Sequence, residues 1–140
     1  MLIKDIMTDP CICVSGETPV EEVALLMKQH NIGSVPVCDE NRHVIGIITD
    51  RDIVTRTVAV GKDARPVKAA EIMTEHVETV DPSWDVAEAT RIMASKQIRR
   101  LPVVEGNQVV GMVALGDMSQ TFDMEASRAL ADISEPKSAF

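Results

Sequence analysis

The chain carries one pattern of residues twice, and this duplication limits what it can fold into. Ile6-Met7-Thr8 returns 66 positions later as Ile72-Met73-Thr74, and Gly46-Ile47-Ile48 returns 65 positions later as Gly111-Met112-Val113. A unit of about 65 residues buries so little apolar surface that it is only marginally stable by itself. Repeated units overcome this by burying their apolar faces against each other. The duplication therefore predicts two similar halves that fold as one cooperative whole.

The pattern of the first half predicts a leading segment, a strand, a helix, two strands and a second helix. The strands are expected at 11–14, 35–38 and 44–48. The first helix is expected to begin with Thr18 as its cap and Pro19 at its first position, and to end before Gly33. The second helix is expected from about Asp50 to Val58. This alternation is typical of the α/β class (α+β in some classifications).

The second half predicts the same order of elements. Its strands are expected at 77–80, 101–104 and 109–114. A helix is expected to begin at Ser83 or Asp85 and to run to about Lys96, and another from Gly116 onward. A further amphipathic helix is predicted over 122–133. It has no counterpart in the first half.

Composition excludes several classes of partner. The 140 residues carry a formal net charge of −8 and include no Tyr, two Phe and one Trp. An acidic chain with few rings lacks the basic patches and stacking surfaces that hold nucleic acids, so no nucleic-acid partner is expected. No apolar run approaches the roughly 20 residues that span a bilayer, and no secretory signal precedes the first repeat. We therefore expect a cytoplasmic protein that makes no membrane contact.

The three cysteines fit a reducing compartment and do not suggest a disulfide framework. Cys11 and Cys13 alternate along a predicted strand, so their side chains face opposite sides and do not bind one ion together. Cys38 has only His43 near it in sequence, which is too little for a zinc site. No order of residues typical of a hydrolase is present either. We expect structural thiols, with a single exposed reactive thiol as the alternative, and we expect no metal site and no enzymatic activity.

The strongest candidate for a binding site follows the buried run that ends at Thr49. Asp50, Arg51 and Asp52 come directly after it, where a helix is expected to begin. Two interpretations are open. Thr49 and Asp52 form a capping box that needs no ligand, or the helix start and Arg51 hold a phosphate while Asp52 accepts hydrogen bonds from a ribose diol. Spacing alone favours the capping box, and the two roles can coexist.

Arg99 and Arg100 form the second candidate feature, because they precede a predicted buried strand in an acidic chain. If that end of the strand faces a cleft between the halves, at least one guanidinium points into the cleft. The alternative is a solvated pair that answers the acidic surface, which is the commoner case for adjacent basic residues.

The repeat closely resembles the CBS domain, which is named for cystathionine β-synthase and occurs in tandem pairs called Bateman modules. The matching pieces are Ile6-Met7-Thr8, Thr18-Pro19, residues 33–37 and residues 46–52, with their partners in the second half. The resemblance covers residues 1 to about 121 and is greatest to small stand-alone prokaryotic CBS-pair proteins. It implies CBS repeats at 1–60 and 69–121, a linker at 61–68 and a helical tail at 122–140.

The resemblance implies two β-α-β-β-α units, each with a small mixed sheet, packed about a pseudo-twofold axis. It also implies up to two clefts for adenine nucleotides such as AMP, ADP or ATP, and some relatives take S-adenosylmethionine. In the family pattern Gly-x-x-Ser/Thr-x-x-Asp, the acid holds the ribose and the hydroxyl lies by the phosphate. This pattern maps onto Thr49 and Asp52. The second half keeps Asp117 but has Ala114 in place of the hydroxyl, so its cleft is expected to be weaker, empty or differently specific.

The family often places a basic residue just before the second strand, which Arg99 and Arg100 match. Gly33 and Ser34 hold the equivalent places in the first half. We expect Arg99 and Arg100 to reach the site formed by the first half. The complete predicted nucleotide-binding set is Thr18, Ser34, Thr49, Arg51, Asp52, Arg99, Arg100 and Asp117.

These features predict a regulatory module that binds an adenine nucleotide, requires no cofactor and signals to a downstream protein by a change of conformation. A homodimer is expected, with the helices after the third strand of each repeat at the interface. Two alternatives are an interaction scaffold whose clefts are empty and a sensor of an S-adenosylmethionine-type ligand. A thiol enzyme is disfavoured, because none of the cysteines lies in a setting that lowers a thiol pKa.

Overall fold

The structure is a computed structural model, and it describes residues 1–9, 11–118, 130, 131 and 133. Five α-helices lie in the described part of the chain: α1 Val20–His30, α2 Asp50–Arg56, α3 Ala69–Ile72, α4 Val86–Lys96 and α5 Leu115–Met118. Four strands alternate with them: β1 Ser34–Cys38, β2 Val44–Thr49, β3 Arg100–Glu105 and β4 Gln108–Ala114. Short 3-10 helices cover Ile3–Asp5 and Val58–Val60.

The strands form two small sheets, one in each half of the chain. β1 pairs antiparallel with β2, so that Ser34 lies opposite Thr49 and Pro36 opposite Ile47. β3 pairs with β4 through a connection of two residues, Gly106 and Asn107, which both have positive φ angles. Such a tight connection permits only an antiparallel hairpin. The mixed helix and strand content and the small sheets confirm the predicted fold class.

The first predicted strand of each half is reduced to a single bridge. Val14 bridges Val37 and Val80 bridges Val103, in both cases in parallel orientation, so each sheet is mixed as expected. The chain turns immediately afterwards, where Thr18 N donates to the Ser15 carbonyl and Trp84 N to the Asp81 carbonyl. Because of these turns, only Val14 and Val80 pair with a strand. The predicted strands at 11–14 and 77–80 are therefore too long.

Helix α1 begins one residue later than expected, because Pro19 occupies the N-cap position and no side chain caps this end. The amides of Val20 and Glu21 instead donate to the carbonyls of Val67 and Ala64, at 2.8 and 3.2 Å. The segment between the repeats therefore caps this helix. A contact so distant in sequence is not visible in a local pattern of residues. By contrast, the Asp85 side chain caps α4 by accepting a hydrogen bond from Ala87 N at 2.9 Å. Of the two predicted helix starts, Ser83 and Asp85, the structure therefore has the second.

The described chain forms two compact units. Unit 1 comprises residues 1–11, 78–105 and the described residues from 110 onward, and unit 2 comprises residues 12–77 and 106–109. The core of unit 1 contains Ile3, Met93 and Leu101, while that of unit 2 contains Val20, Val35 and Ile48. The leading segments of the two halves are residues 1–11 and 69–77. Each belongs to the unit that contains the strands of the other half. The division into repeats at 1–60 and 69–121 stays a prediction about the sequence.

Each leading segment pairs with a strand in the same way. In unit 2, Thr74 and Ile47 exchange two backbone hydrogen bonds at 2.9 and 3.0 Å, and in unit 1 Thr8 and Met112 exchange two at 2.8 and 3.0 Å. The preceding methionine lies over a glycine of the strand, Met73 over Gly46 and Met7 over Gly111. A Cβ on Gly46 would overlap the Met73 sulfur. The glycines are therefore required by the close approach of the leading segments.

The predicted tail helix lies mostly outside the described residues. Leu130, Ala131 and Ile133 are helical, and Ile133 packs against the core of unit 1.

Replacing Gly111 with alanine should lower the free energy of unfolding by about 1–3 kcal/mol, the usual cost of an extra methyl group in a packed site. The new Cβ would lie 2.8 Å from the Thr8 carbonyl oxygen and 2.9 Å from the Met7 sulfur, so the leading segment must shift. Urea denaturation measures the difference. Gly116→Ala is the matched control, because no described residue lies within 4 Å of the Cβ it adds. Equal destabilisation by the two substitutions would contradict this account.

The predicted linker at 61–68 carries an exposed ion pair. Asp63 accepts hydrogen bonds from the side chain and the backbone amide of Arg65, and these bonds lower the pKa of its carboxyl to about 2. Because this pKa is lowered in the folded protein, the pair stabilises the fold above the unfolded pKa of about 3.9. That contribution is lost as the pH falls through about 2.

An NMR titration of the Asp63 carboxyl should therefore give a midpoint of about 2, and Arg65→Gln should move it up toward the ordinary value of 3.8. A midpoint that does not respond to the substitution would show that Arg65 is not the cause.

Candidate ligand site

The turn from β2 into α2 is closed by a reciprocal capping box. The Thr49 hydroxyl accepts a hydrogen bond from Asp52 N at 3.1 Å, and the Asp52 carboxylate accepts one through Oδ2 from Thr49 N at 2.9 Å. The structural interpretation of this pair is thus confirmed. It holds both side chains in one place, which is also what a binding role requires.

The start of α2 leaves few amides for an anion. Asp50 N donates to the Gly33 carbonyl at 2.9 Å, Arg51 N to Asp50 Oδ1 at 2.8 Å, and Asp52 N to Thr49. The helix is also only seven residues long. A phosphate at this turn would have to displace one of these bonds, so the polar side chains are the groups that remain to hold a ligand.

Asp52 uses only part of its capacity to accept hydrogen bonds. Its Oδ2 faces Thr49, while its Oδ1 lies 3.9 Å from Arg56 Nη2, too far for a hydrogen bond. The side chain is 15% exposed. A half-buried carboxylate with one oxygen open to a further donor can accept a hydroxyl group.

The strand pairing brings Ser34 to the same place. Ser34 is buried and lies directly opposite Thr49 in the β1–β2 register. Ser34, Thr49 and Asp52 therefore converge at one end of the sheet of unit 2, with Arg51 exposed on the first turn of α2.

Thr18 has a different local role. Its hydroxyl accepts a hydrogen bond from Ser15 N at 3.2 Å and its carbonyl accepts one from Ala69 N, so it closes the turn before α1. A part for Thr18 in ligand binding stays a prediction.

The equivalent turn of unit 1 is only half formed. Asp117 Oδ2 accepts a hydrogen bond from Ala114 N at 3.1 Å, as Asp52 does from Thr49. Ala114 offers no hydroxyl in return, and Asp117 is exposed. The Asp117 carboxylate is therefore less firmly held and better hydrated than that of Asp52.

The two arginines that precede Leu101 belong to unit 1 and are both exposed. The Arg99 carbonyl accepts a hydrogen bond from Leu115 N at 2.9 Å, which is the counterpart of the Asp50–Gly33 bond in unit 2. Arg100 is the first residue of β3. That their guanidinium groups serve the Thr49–Asp52 turn stays a prediction.

Among the described residues, no group of three or more His, Cys, Asp or Glu side chains is placed to hold a metal ion. Cys38 is buried, whereas Cys11 and Cys13 are half-buried. His43 lies 3.4 Å from Asp39. The hydrogen bonds that Asp39 accepts from the backbone amides of His43 and Asn41, with the nearby imidazole, lower the pKa of its carboxyl.

A surface groove of about 560 Å³ runs along α1 on unit 2. Its lining includes Leu25, Lys28 and Arg65 and none of the predicted ligand residues. The candidate site is therefore defined by its polar side chains rather than by this groove.

Arg56 is the residue near the site that the sequence reasoning missed. It lies one helical turn after Asp52, and a carboxylate and a guanidinium four residues apart on a helix are a recognisable signal. The signal was obscured because Arg51 is also present on this short helix.

The chain belongs to the CBS domain family, whose sequence model matches residues 3–58 and 69–122. The two matches form a tandem pair, which confirms the family predicted from the repeated motifs. The CBS domain-containing protein YhcV of Bacillus subtilis is 41% identical over 134 residues, which are 94% of each chain.

Solved structures have the same fold. The CBS domain pair of protein MJ0100, in complex with 5′-methylthioadenosine and S-adenosyl-L-methionine, is 32% identical, with a TM-score of 0.78 over 89% of this chain and 98% of that one. Hypoxic Response Protein I, with two coordinated zinc ions, is 30% identical, with a TM-score of 0.80 over 87% of this chain and 99% of that one. Within the described part of this chain, none of the helices is long and apolar enough to cross a membrane.

Thr49→Val keeps the shape of the side chain and removes the hydroxyl that caps α2. It should lower the free energy of unfolding by about 0.5–2 kcal/mol, as loss of an N-cap does elsewhere. Thr49→Ser retains the hydroxyl and should cost less. Urea denaturation compares the three proteins, and a valine variant as stable as the serine variant would show that the cap contributes little.

Proposed function

We propose that this CBS domain pair is a regulatory module that binds an adenosine-containing ligand at the Thr49–Asp52 turn, with AMP, ADP or ATP as the primary candidates. The observation that carries the proposal is the half-buried Asp52 carboxylate, which is oriented by the capping box and has one oxygen open to a donor. A ribose diol presents two hydroxyl donors close together. A hydrogen bond from a hydroxyl group to an ionised carboxylate is roughly twice as strong as one between two neutral groups.

The neighbouring side chains suit the rest of such a ligand. Ser34 and Thr49 offer hydroxyls beside Asp52, and Arg51 offers an exposed cation on the adjacent turn. A guanidinium favours phosphate oxygens over a sulfonium group, which carries a positive charge. This charge argument favours a nucleotide.

A sensor of an S-adenosylmethionine-type ligand is the second candidate. Its support is that the MJ0100 pair, with the same fold, was crystallised with 5′-methylthioadenosine and S-adenosyl-L-methionine. Adenosine is common to those compounds and to AMP, so the diol contact at Asp52 serves either ligand.

The site at Asp117 is proposed to be the weaker of the two. It lacks a capping hydroxyl, and its more exposed carboxylate must lose more hydration when a ligand binds. The proposal requires no cofactor and no catalytic residue.

Regulation requires that the ligand bind two conformations with unequal affinity, since only that difference shifts their populations. The proposed output is a changed surface that a downstream protein recognises. A homodimer is part of the proposal, and it is supported by the exposed valines of unit 2: Val54, Val58 and Val60 are 56%, 69% and 59% exposed. A related CBS-CP12 protein forms hexamers. The cytoplasmic location stays a prediction.

Isothermal titration with AMP, ATP, S-adenosylmethionine and 5′-methylthioadenosine tests the proposal. Asp52→Asn keeps an oxygen that can accept the hydrogen bond from Thr49 N, but it removes the negative charge. It should weaken ligand binding by about tenfold or more. Asp117→Asn should have a smaller effect. Glu40 is an exposed carboxylate in the turn between β1 and β2. Glu40→Gln is therefore the matched control, and it should bind each ligand as the wild type does.

A native mass spectrum of the same protein reports subunit number and retained ligand together. If none of the four compounds binds, the proposal of a ligand sensor is wrong. The alternative of an interaction scaffold with empty clefts then gains support. If Asp117→Asn abolishes binding while Asp52→Asn does not, the ranking of the two sites is wrong.

A further inference from the structure

Arg56 joins Asp52 to a segment that is distant from it in sequence. Its Nη1 donates a hydrogen bond to the Ile72 carbonyl at 2.7 Å, while its Nη2 lies 3.9 Å from Asp52 Oδ1. All three residues belong to unit 2. One planar group thus contacts the C-terminal end of α3 on one side and faces the candidate ligand carboxylate on the other.

The segment that Arg56 contacts is held firmly. Thr74 exchanges two backbone hydrogen bonds with Ile47, and Met73 lies over Gly46 on the same strand. The Ile72 carbonyl is therefore a fixed acceptor. A guanidinium anchored on it has few conformations left, because its fork of donors is planar and rigid.

We propose that Arg56 is a positioning residue, which holds the open oxygen of Asp52 in place for the ribose diol. The inference rests on the proposed function and deepens it. At 3.9 Å the second arm of the guanidinium attracts Oδ1 without forming a hydrogen bond to it. The carboxylate is thus oriented while its lone pairs remain available to a hydroxyl donor. Lysine cannot replace Arg56, since one ammonium group does not span both acceptors.

The second half of the sequence has no arginine at the position that corresponds to Arg56. Thr121 stands at the position equivalent to Arg56, four residues after Asp117. This difference in sequence is a further reason to expect that the two sites differ.

The test compares AMP with 2′,3′-dideoxyadenosine monophosphate, which lacks both ribose hydroxyls. Titrations are made in an Asp117→Asn background, so that the Asp52 site is observed by itself. Arg56→Gln should weaken AMP binding by about 5- to 20-fold, the range expected for coupled contacts, and leave the dideoxy compound unchanged. Arg56→Lys should behave like Arg56→Gln. Lys62→Gln, which removes an exposed charge from the same unit, should retain the wild-type ratio of the two affinities.

If Arg56 only stabilised the fold, its substitution would lower the affinity for both ligands to the same extent. A selective loss of affinity for AMP therefore requires the positioning role. If Arg56→Gln retains the wild-type preference for AMP, the inference is wrong and the proposed function stands. If the protein with Arg56 intact binds neither compound, AMP is not a ligand of the Asp52 site, and that part of the proposed function is wrong whatever Arg56 does.

A ligand-free measurement tests the underlying contact. A double-mutant cycle of Arg56→Gln and Asp52→Asn, followed by urea denaturation, should show that the two substitutions are not additive. Additive effects would overturn the pairing on which the positioning role depends, even if a ligand binds.

Discussion

The structure depends on the pairing of each leading segment with a strand from the other half of the sequence. Thr74 bonds to Ile47 and Thr8 bonds to Met112, each through two backbone hydrogen bonds. Both pairs satisfy backbone groups that would otherwise lie unpaired at a sheet edge. They also place a methionine against a glycine, so that the close approach buries apolar surface as well. Each compact unit is in this way completed by residues from the other half of the sequence.

This pairing also gives the candidate site its surroundings. The strand that carries Ile47 ends at Thr49, and the helix that follows carries Asp52 and Arg56. Because the segment ending at Thr74 is fixed on that strand, its Ile72 carbonyl is available to anchor Arg56. The capping box then sets the other side of Asp52. A single carboxylate is thus held from two directions, and its structural and proposed functional roles use different oxygens.

Residue patterns predicted much of this arrangement for local reasons. The capping box was visible because a hydroxyl and an acid three residues apart, after a buried strand, leave few other conformations. For a similar reason the pattern predicts a helix start at Ser83 or Asp85, and the structure has Asp85 as the cap. Helix α1 begins one residue later than the pattern predicts, because its first amides are satisfied by Val67 and Ala64 rather than by Thr18. The strands at 11–14 and 77–80 were overextended, because apolar alternation does not show where a turn removes residues from register.

The sequence by itself determined the duplication, the family, the order of elements and the acid at the end of each third strand, because these depend on spacing along the chain. Tertiary structure alone decided which half each leading segment completes, why Gly46 and Gly111 have no side chain, and that Arg56 reaches the Ile72 carbonyl. These features arise from contacts between residues 16 to 104 positions apart. No local pattern encodes such contacts, since they exist only after the chain has folded back on itself.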